Sequence, residues 1–482
     1  MTTTTTPLPW ASLRSTNSSS SCCEWHGVKC AISMHVIEID LDDRALRGSL
    51  LSEFPPFPYL QVRRLSRNKL TGSLPRLNKL PLLKKLYLMK NKFKTIPPGF
   101  FQGLSNNLQV LMLAQNPFLG TWTTPLELSK FHNLRVLSAY NTNLEGSIPD
   151  IFDSLALTSL GLEENNLTGS LPPSLWISQI QELFLFDQKV GLTGTIDILS
   201  NMNSLSTVAL GNNKFTGTIP DLSNCKSLLI FALGYSQFTG TIPDLSNCRG
   251  LRLLELRYNY FTGVVPQSLG SYMSLEFIFA DHNMLQGPFP SFMLIKFSMI
   301  LYNNYCTDTG DPYDFQVTTL LEIASAWMYP YKLSLGWKGN DACRNWSFVK
   351  CDEENNVTEI DLWNQRRLQG TISPAFGNLT GLQYLNLSDN NLIGSIPECL
   401  TKLPNLKVLD VSNNNLSGII PSFASSVKLI THGNDLLIRN TTADAPNASS
   451  SPPKGMIILA SIIIFSHKET CTRFNLQVKE DA

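Results

Sequence analysis

The chain has 482 residues, of which 43% are hydrophobic and 16% are charged, and its formal net charge is zero. This charge balance provides no basic surface for nucleic acid, so we predict no nucleic-acid partner. Ten cysteines and nine Asn-x-Ser/Thr sequons favour the secretory route, where disulfides form and glycans are attached.

Residues 1–35 are predicted to form an N-terminal cysteine cap. Cys23 and Cys30 have the spacing CxWxGVxC, which we interpret as a disulfide beside a buried tryptophan. Such a cap covers the core leucines that the end of a repeat array would otherwise expose. A zinc site is the poorer alternative, because no second Cys or His pair accompanies these two cysteines. We therefore predict no metal and no cofactor.

A pattern LxxLxLxxNxLxGxIP follows the cap and returns about every 24 residues, most clearly as LKVLDVSNNNLSGIIP in residues 406–421. This period predicts a solenoid in which each coil adds one short strand with buried leucines. The Asn at the ninth position should bond backbone groups at the bend. The predicted fold is an α/β solenoid, a plant-type leucine-rich-repeat right-handed superhelix in two blocks separated by a non-repeat island.

Block 1, residues 36–290, should hold about eleven repeats. Arg63 stands where the second repeat needs a core leucine, so we expect a local register adjustment or a side chain that snorkels to solvent. Cys225 and Cys248 stand at equivalent places in two near-identical repeats. Two buried thiols are favoured there over a disulfide, because the position belongs to the core.

The third, fifth, seventh and eighth positions of each repeat should point out of the sheet and form a concave wall. Aromatic and arginine side chains dominate binding hot spots, so we predict a partner-binding patch on this wall. The alternative is that some of these side chains pack against the island or against each other. The predicted patch consists of Phe184, Phe186, Tyr235, Glu255, Arg257, Tyr258, Phe277 and Phe279.

Residues 291–356 form the predicted island. Residues 319–327 read as an amphipathic helix, followed by WKGNDAC and by CxxWxxVxC, in which Cys343 and Cys351 should form a disulfide. This order repeats the elements of an N-terminal cap, so the chain contains a second beginning. Block 2, residues 357–439, should then supply about three repeats and a C-terminal cap.

The sequons predict a glycoprotein. A glycan on Asn386 would mask the wall of block 2, so we expect block 1 to contribute more to partner binding. A disordered linker is predicted at residues 440–454, and residues 455–482 read as a truncated apolar segment and tail. The apolar run is too short to span a membrane, so we expect a membrane partner only if further apolar residues complete it. The predicted glycosylation sites are Asn166, Asn345, Asn356, Asn378, Asn386 and Asn415.

The island with WKGNDAC and CxxWxxVxC, the segment VTEIDL after it, and QELFLFDQKVGLTGTIDILSNM in the seventh repeat resemble the ectodomain of plant transmembrane-kinase (TMK) receptor-like kinases. The resemblance covers about residues 20–465. It implies a receptor on the extracellular side of the plasma membrane, linked to auxin signalling. The implied partners are a peptide, a hormone-binding protein or a co-receptor ectodomain.

The chain departs from this resemblance in three places. It lacks the signal peptide, the first cap helix and the full membrane helix of the family. We therefore predict an incomplete N-terminal cap and an ectodomain truncated at both ends, which would be secreted if its C-terminus is genuine. Tyr313 stands where the family has a cysteine, which leaves Cys306 without its expected partner. Gly-rich, HRD and DFG motifs are absent, so we predict that this chain is not an enzyme, although full-length family members resemble Ser/Thr kinases. A kinase-less decoy or inhibitor and a nonfunctional copy are the alternatives.

Overall fold

The structure is a computed structural model that describes residues 21–271, 274–290, 295–306, 313–365 and 368–438. The chain divides into two compact units. Unit 1 contains the residues up to Leu285 together with Phe289–Asn303, and unit 2 contains Gln286–Pro288 and the residues from Asn304 onward. The predicted linker and tail lie outside the described residues.

Short strands dominate both units. In chain order they are β1 (Val28–Cys30), β2 (Val36–Asp40), β3 (Arg47–Ser49), β4 (Val62–Arg64), β5 (Lys69–Ser73), β6 (Lys85–Tyr87), β7 (Lys92–Thr95), β8 (Val110–Met112), β9 (Trp122–Thr123), β10 (Val136–Ser138), β11 (Leu144–Ser147), β12 (Ser159–Gly161), β13 (Asn166–Thr168), β14 (Glu182–Phe184), β15 (Thr207–Ala209), β16 (Ile230–Ala232), β17 (Thr239–Gly240), β18 (Leu253–Glu255), β19 (Tyr260–Val264), β20 (Phe277–Phe279), β21 (Met284–Gly287), β22 (Phe297–Met299), β23 (Asn304–Tyr305), β24 (Val349–Cys351), β25 (Val357–Asp361), β26 (Gln369–Thr371), β27 (Tyr384–Asn386), β28 (Asn391–Gly394), β29 (Val408–Asp410), β30 (Asn415–Ile419), β31 (Lys428–Ile430) and β32 (Leu436–Ile438).

Helical structure is sparse by comparison. The α-helices are α1 (Phe315–Ser325) and α2 (Tyr331–Gly336), both in unit 2. The 3-10 segments are Cys22–Glu24, Leu126–Lys130, Phe152–Ser154, Pro173–Ile177, Asp197–Asn201, Gln267–Ser271, Pro374–Asn378 and Glu398–Lys402.

The main sheet of unit 1 has thirteen strands in the order β1-β2-β4-β6-β8-β10-β12-β14-β15-β16-β18-β20-β22. After the antiparallel pair β1/β2, the strands run parallel, one from each coil. The third coil shows which contacts hold this arrangement together. Its leucines Leu83, Leu86 and Leu88 are completely buried. The side chain of Asn91 donates to the carbonyls of Leu65 (2.9 Å) and Leu88 (3.1 Å), which satisfies the backbone where the chain bends. The solenoid prediction is confirmed.

The sheet of unit 1 continues beyond residue 290, where the sequence placed the end of block 1. Strand β22 pairs with β20 in parallel, and Asn303 donates to the carbonyls of Ala280 (2.9 Å) and Ile300 (2.8 Å), as in the preceding coils. The predicted boundary is therefore wrong by one coil. The coil was missed because Ser298 occupies the place of its central leucine, which hides the repeat in the sequence.

Arg63 keeps the register of the sheet, facing Ile39 on one side and Leu86 on the other. Of the two expectations for Arg63, a register adjustment or a snorkelling side chain, the register adjustment is therefore wrong. Its guanidinium carbon lies 5.0 Å from the ring centroid of Phe54, and its Nε is buried without a hydrogen-bond acceptor. Burial lowers the pKa of this guanidinium to about 10.

Unit 2 has a five-stranded sheet in the order β24-β25-β27-β29-β31. Its antiparallel first pair matches the first pair of unit 1 in register, with Lys350 facing Glu359 as Lys29 faces Glu38. Both pairs are salt-bridged, at 2.6 Å and 2.9 Å. The described residues therefore contain two structurally equivalent beginnings of a repeat array.

The island prediction of a helix at 319–327 corresponds to α1, which starts earlier, at Phe315. The carboxylate of Asp314 accepts hydrogen bonds from the backbone N–H groups of Gln316 and Val317, so Asp314 caps the helix at that point. Helix α1 buries Leu320 and Ile323 in the core of unit 2, where Trp337 stacks on Trp346 with ring centroids 5.1 Å apart.

The cysteines of the two caps form disulfides, Cys23–Cys30 and Cys343–Cys351. Among the described residues, the buried tryptophan expected beside them is present only in unit 2, since Trp25 is 37% exposed whereas Trp346, covered by Trp337, is 3% exposed. No helix of the described residues is both long enough and apolar enough to cross a membrane.

Candidate partner-binding surface

The exposed faces of the parallel strands in unit 1 form one wall, which we call the concave wall after the sequence prediction. Because the strands pair in exact register, equivalent repeat positions line up in rows across the coils. The fifth-position row contains Ser138, Gly161, Phe184, Ala209, Ala232, Glu255, Phe279 and Met299.

In the eight coils from β10 to β22, the eighth positions form a second row at the bend that follows each strand, here called the rim row; in the four preceding coils the same positions hold Asp43, Arg67, Lys90 and Gln115. Each of its residues has a positive φ of 52–59°, and each of the first seven donates its backbone N–H to a carbonyl of the next coil. These bonds hold neighbouring coils at a fixed spacing. In coil order the rim row consists of Asn141, Glu164, Asp187, Asn212, Tyr235, Tyr258, His282 and Tyr302.

The second half of the rim row is a continuous stack of four rings. Ring centroids are 4.5 Å apart between Tyr235 and Tyr258, 4.0 Å between Tyr258 and His282, and 4.3 Å between His282 and Tyr302. The tyrosines are 49%, 42% and 72% exposed in that order. The stack therefore presents a row of ring edges to solvent, already ordered by mutual packing.

A set of mutually compensated charges lies beside the stack. The Nε of Arg257 is 3.1 Å from Glu255 and 3.9 Å from the buried carboxylate of Asp281, and the guanidinium carbon is 4.2 Å from the ring centroid of Phe279. Asp281 is also 2.8 Å from Nδ1 of His282. Burial raises the pKa of Glu255, which accepts a hydrogen bond from the N–H of Gly234. These contacts hold the side chains of Glu255, Arg257 and Asp281 in place beside the ring stack.

The absence of a side chain at Gly234 suits that contact. A Cβ at this residue would lie 2.2 Å from Oε1 of Glu255, closer than atoms can approach. The missing side chain leaves room for the carboxylate to reach the backbone.

The first half of the rim row is acidic. Glu164 and Asp187 are exposed, and each carboxylate accepts a hydrogen bond from a rim-row asparagine, Glu164 from Asn141 (3.2 Å) and Asp187 from Asn212 (2.8 Å). Beside them, Glu163 lies over Gly161, and its Oε2 is buried without a hydrogen-bond partner. Burial raises the pKa of Glu163 to about 7, and the charge of Glu164 adds to this effect.

The predicted patch residues are all on the wall, but they differ in availability. Tyr235 and Tyr258 belong to the exposed stack. The four predicted phenylalanines are half-buried and therefore less available to a partner than the stack: Phe184, Phe186, Phe277 and Phe279. Glu255 and Arg257 form an ion pair with each other. The rings that the predicted patch left out are His282 and Tyr302. Tyr302 was missed because its coil was assigned to the island.

The N-terminal end of the wall is also charged, and part of its charge is compensated by ion pairs. Arg64 is 3.2 Å from Glu38 and 3.8 Å from Asp40, and it covers the ring of Tyr87 at 4.3 Å. Lys29 pairs with Glu38 as well. Arg67 and Lys90 are also exposed at this end, and within the described residues neither forms an ion pair.

The predicted glycosylation sites also differ in accessibility. Asn345, Asn378 and Asn415 are exposed, and Asn166 and Asn356 are partly exposed. Asn386 is only 9% exposed: its Nδ2 donates to Asp361 (2.9 Å), and its Oδ1 accepts from the hydroxyl of Ser388 (2.7 Å). The structure therefore gives no access for a glycan at Asn386. Over the described residues, no group of three His, Cys, Asp or Glu side chains is arranged to hold a metal ion.

Comparison with known families agrees with this architecture. A leucine-rich-repeat N-terminal domain family matches residues 5–31 and 314–352, which include the two disulfide caps, and leucine-rich-repeat families match residues 133–155 and 355–416. The crystal structure of the Arabidopsis receptor kinase HAESA with the peptide hormone IDA and the co-receptor SERK1 is similar in fold, with a TM-score of 0.50 and 20% identity over 86% of this chain and 82% of that one. The chain is a plant-type leucine-rich-repeat protein.

Two Arabidopsis thaliana proteins narrow this class. The chain is 39% identical to the receptor-like kinase TMK4 over 378 residues, and 38% identical to the receptor-like kinase TMK2 over 400 residues. These matches cover 78% and 76% of this chain but 38% and 39% of the two relatives. The chain belongs to the TMK group of leucine-rich-repeat receptor-like kinases and spans well under half the length of these relatives.

Proposed function

We propose that this chain is the extracellular partner-binding part of a TMK-like receptor, and that it binds its partner on the concave wall of unit 1. The partner is a peptide, a hormone-binding protein or a co-receptor ectodomain. The observation that carries the proposal is the exposed stack of Tyr235, Tyr258, His282 and Tyr302.

The stack has the physical properties of a binding hot spot. Tyrosine offers a large apolar area and a hydroxyl group while losing little side-chain entropy on binding. The rings are held by each other and by the backbone ladder, so a partner meets a surface that needs little further ordering. The local backbone does not explain the tyrosines either, because a positive φ is easiest for glycine and asparagine.

Two further observations support an extracellular receptor role. Disulfides in both caps suit an oxidising compartment. HAESA, which has the same fold, was crystallised with a peptide hormone and a co-receptor, which supports a partner of this kind. The proposal includes a role in auxin-linked signalling at the plasma membrane, which follows the resemblance to the TMK group and rests on no residue of the wall.

The test is a selection of random linear displayed peptides on the purified chain. Recovered peptides are then measured against Y235A/Y258A/Y302A and against the control F118A/W176A. The control removes two other exposed aromatic side chains of unit 1, 59% and 51% exposed, that lie outside the strands of the wall.

We expect the triple variant to weaken binding of the recovered peptides at least about tenfold, as the loss of a tyrosine hot spot does, and the control to leave it unchanged. Equal effects of the two variants, or peptides that bind both variants like the wild type, would refute the proposed surface. Circular dichroism of each variant verifies that the fold is intact.

A further inference from the structure

The two halves of the rim row differ in chemistry while sharing one backbone ladder. Glu164 and Asp187 occupy two successive coils, one coil with Asn212 follows, and the ring stack begins at Tyr235. A partner that lies along this row across the coils therefore meets two carboxylates first and aromatic edges next. This order is a property of the row and not of any single repeat.

The acidic half lacks an internal counter-ion. Within the described residues, no lysine, arginine or histidine forms an ion pair with Glu163, Glu164 or Asp187. Two arginines elsewhere on the wall are paired with carboxylates, Arg64 with Glu38 and Arg257 with Glu255. The buried Oε2 of Glu163, which has no hydrogen-bond partner, adds unsatisfied negative charge beside the row when it is ionised.

We infer that the partner segment bound by the proposed surface is an extended peptide that carries a basic side chain next to an apolar or aromatic one. The basic group pairs with Glu164 and Asp187, and the apolar group packs on Tyr235 and Tyr258. Charge complementarity requires a positive charge on the bound segment, because an acidic segment would be repelled by the two carboxylates.

The geometry also sets the spacing within the peptide. Adjacent parallel strands are roughly 4.8 Å apart, so the two coil steps from Asp187 to Tyr235 span roughly 10 Å. An extended chain advances about 3.3 Å per residue, so about three residues cover that distance. The expected pattern is therefore a basic residue and an aromatic residue three positions apart, in either order.

The experiment uses synthetic peptides of serine and glycine that carry one arginine and one tryptophan. One pair of peptides spaces them three positions apart, in both orders. A second peptide places them side by side, and a third replaces the arginine with glutamate. Dissociation constants are measured by calorimetry against the full chain, against E164Q/D187N, and against the control D153N/D197N. The control removes two exposed carboxylates from 3-10 segments, outside the strands of the wall.

A spaced peptide should bind about tenfold more tightly than the adjacent and glutamate peptides, and E164Q/D187N should remove that advantage while the control keeps it. Equal binding of arginine and glutamate peptides, no effect of E164Q/D187N, or no measurable binding of any peptide would overturn the inference.

This inference rests on the proposed function, and the two fail in different ways. If selected peptides depend on the tyrosines but show no basic residue and no sensitivity to E164Q/D187N, the proposed surface stands and the basic pattern falls. If no selected peptide depends on the tyrosines, the proposed function itself falls.

Discussion

Replacing Glu163 with glutamine should stabilise the protein, and by an amount that depends on pH. The carboxyl of Glu163 has its pKa raised from 4.5 to about 7 by burial, so the folded state disfavours the charged form. Between these two values the folded chain holds the proton more tightly than the unfolded chain does. The free energy of unfolding therefore falls as the pH rises through this window, and it reaches its lower value above about pH 7.

The size of the effect follows from the same shift. A pKa raised by this amount corresponds to about 3 kcal/mol against the ionised folded state. The side chain is only partly buried, and solvent screening reduces this cost to about 1.5 kcal/mol. E163Q removes the cost, because an amide carries no charge to desolvate. For a domain of a few hundred residues such as unit 1, a gain of about 1.5 kcal/mol in the free energy of unfolding should raise Tm by about 3 °C at pH 8.

The assay is thermal unfolding of wild type and variant at pH 4 and pH 8. E163Q should match the wild type at pH 4, where both side chains are neutral, and exceed it at pH 8. Glu164→Gln is the matched control: this neighbouring carboxylate is exposed, so its loss should change stability by less than about 0.5 kcal/mol. A difference between E163Q and wild type that is equal at both pH values, or a loss of stability at pH 8, would refute the reasoning.

Three further predictions follow from other buried groups and from the sequons. Arg63→Leu should raise the free energy of unfolding by about 1–2 kcal/mol in a denaturant titration, because it removes a buried Nε that has no acceptor. Arg64→Leu should not raise it, since this change breaks the ion pair with Glu38. Glycopeptide mass spectrometry of the chain from a secreting plant host should find glycan on Asn415 and none on Asn386; occupancy of Asn386 would contradict the buried amide. Cys248 should resist iodoacetamide at pH 8 in the native chain, because the thiol is buried with its pKa raised to about 11, and fast alkylation before unfolding would contradict this.

Much of the fold is readable in the sequence because the leucine spacing and the strand period coincide. Leu83, Leu86 and Leu88 stand at the first, fourth and sixth positions of one repeat, and all three are buried as that spacing requires. The leucine pattern does not predict the structure where a core position carries a polar or charged residue. Because Ser298 replaces a core leucine, the repeat pattern did not reveal the coil of β22. Arg63 suggested a register change, but the strand that contains it pairs in the regular register with its neighbours.

The candidate surface was predictable in its location but not in its organisation. Outward positions follow from the repeat, so Tyr235 and Tyr258 could be assigned to the wall. Their stacking could not be read from the sequence, since it requires the coil-to-coil backbone bonds and a residue, Tyr302, from a coil that the pattern did not reveal. Nor could the sequence show that Arg257 is held by Glu255 of its own coil and by Asp281 of the next coil, because this compensation depends on distances between side chains.

The most direct test of the central claim is hydroxyl-radical footprinting of the chain with and without a peptide recovered by selection. Side-chain oxidation is read for Tyr235, Tyr258 and Tyr302, and for Phe118 and Trp176 as exposed references in unit 1. Binding on the concave wall predicts that oxidation of the three tyrosines drops while the references keep their reactivity. Unchanged tyrosines with protected references would place the partner elsewhere on the molecule and contradict the account.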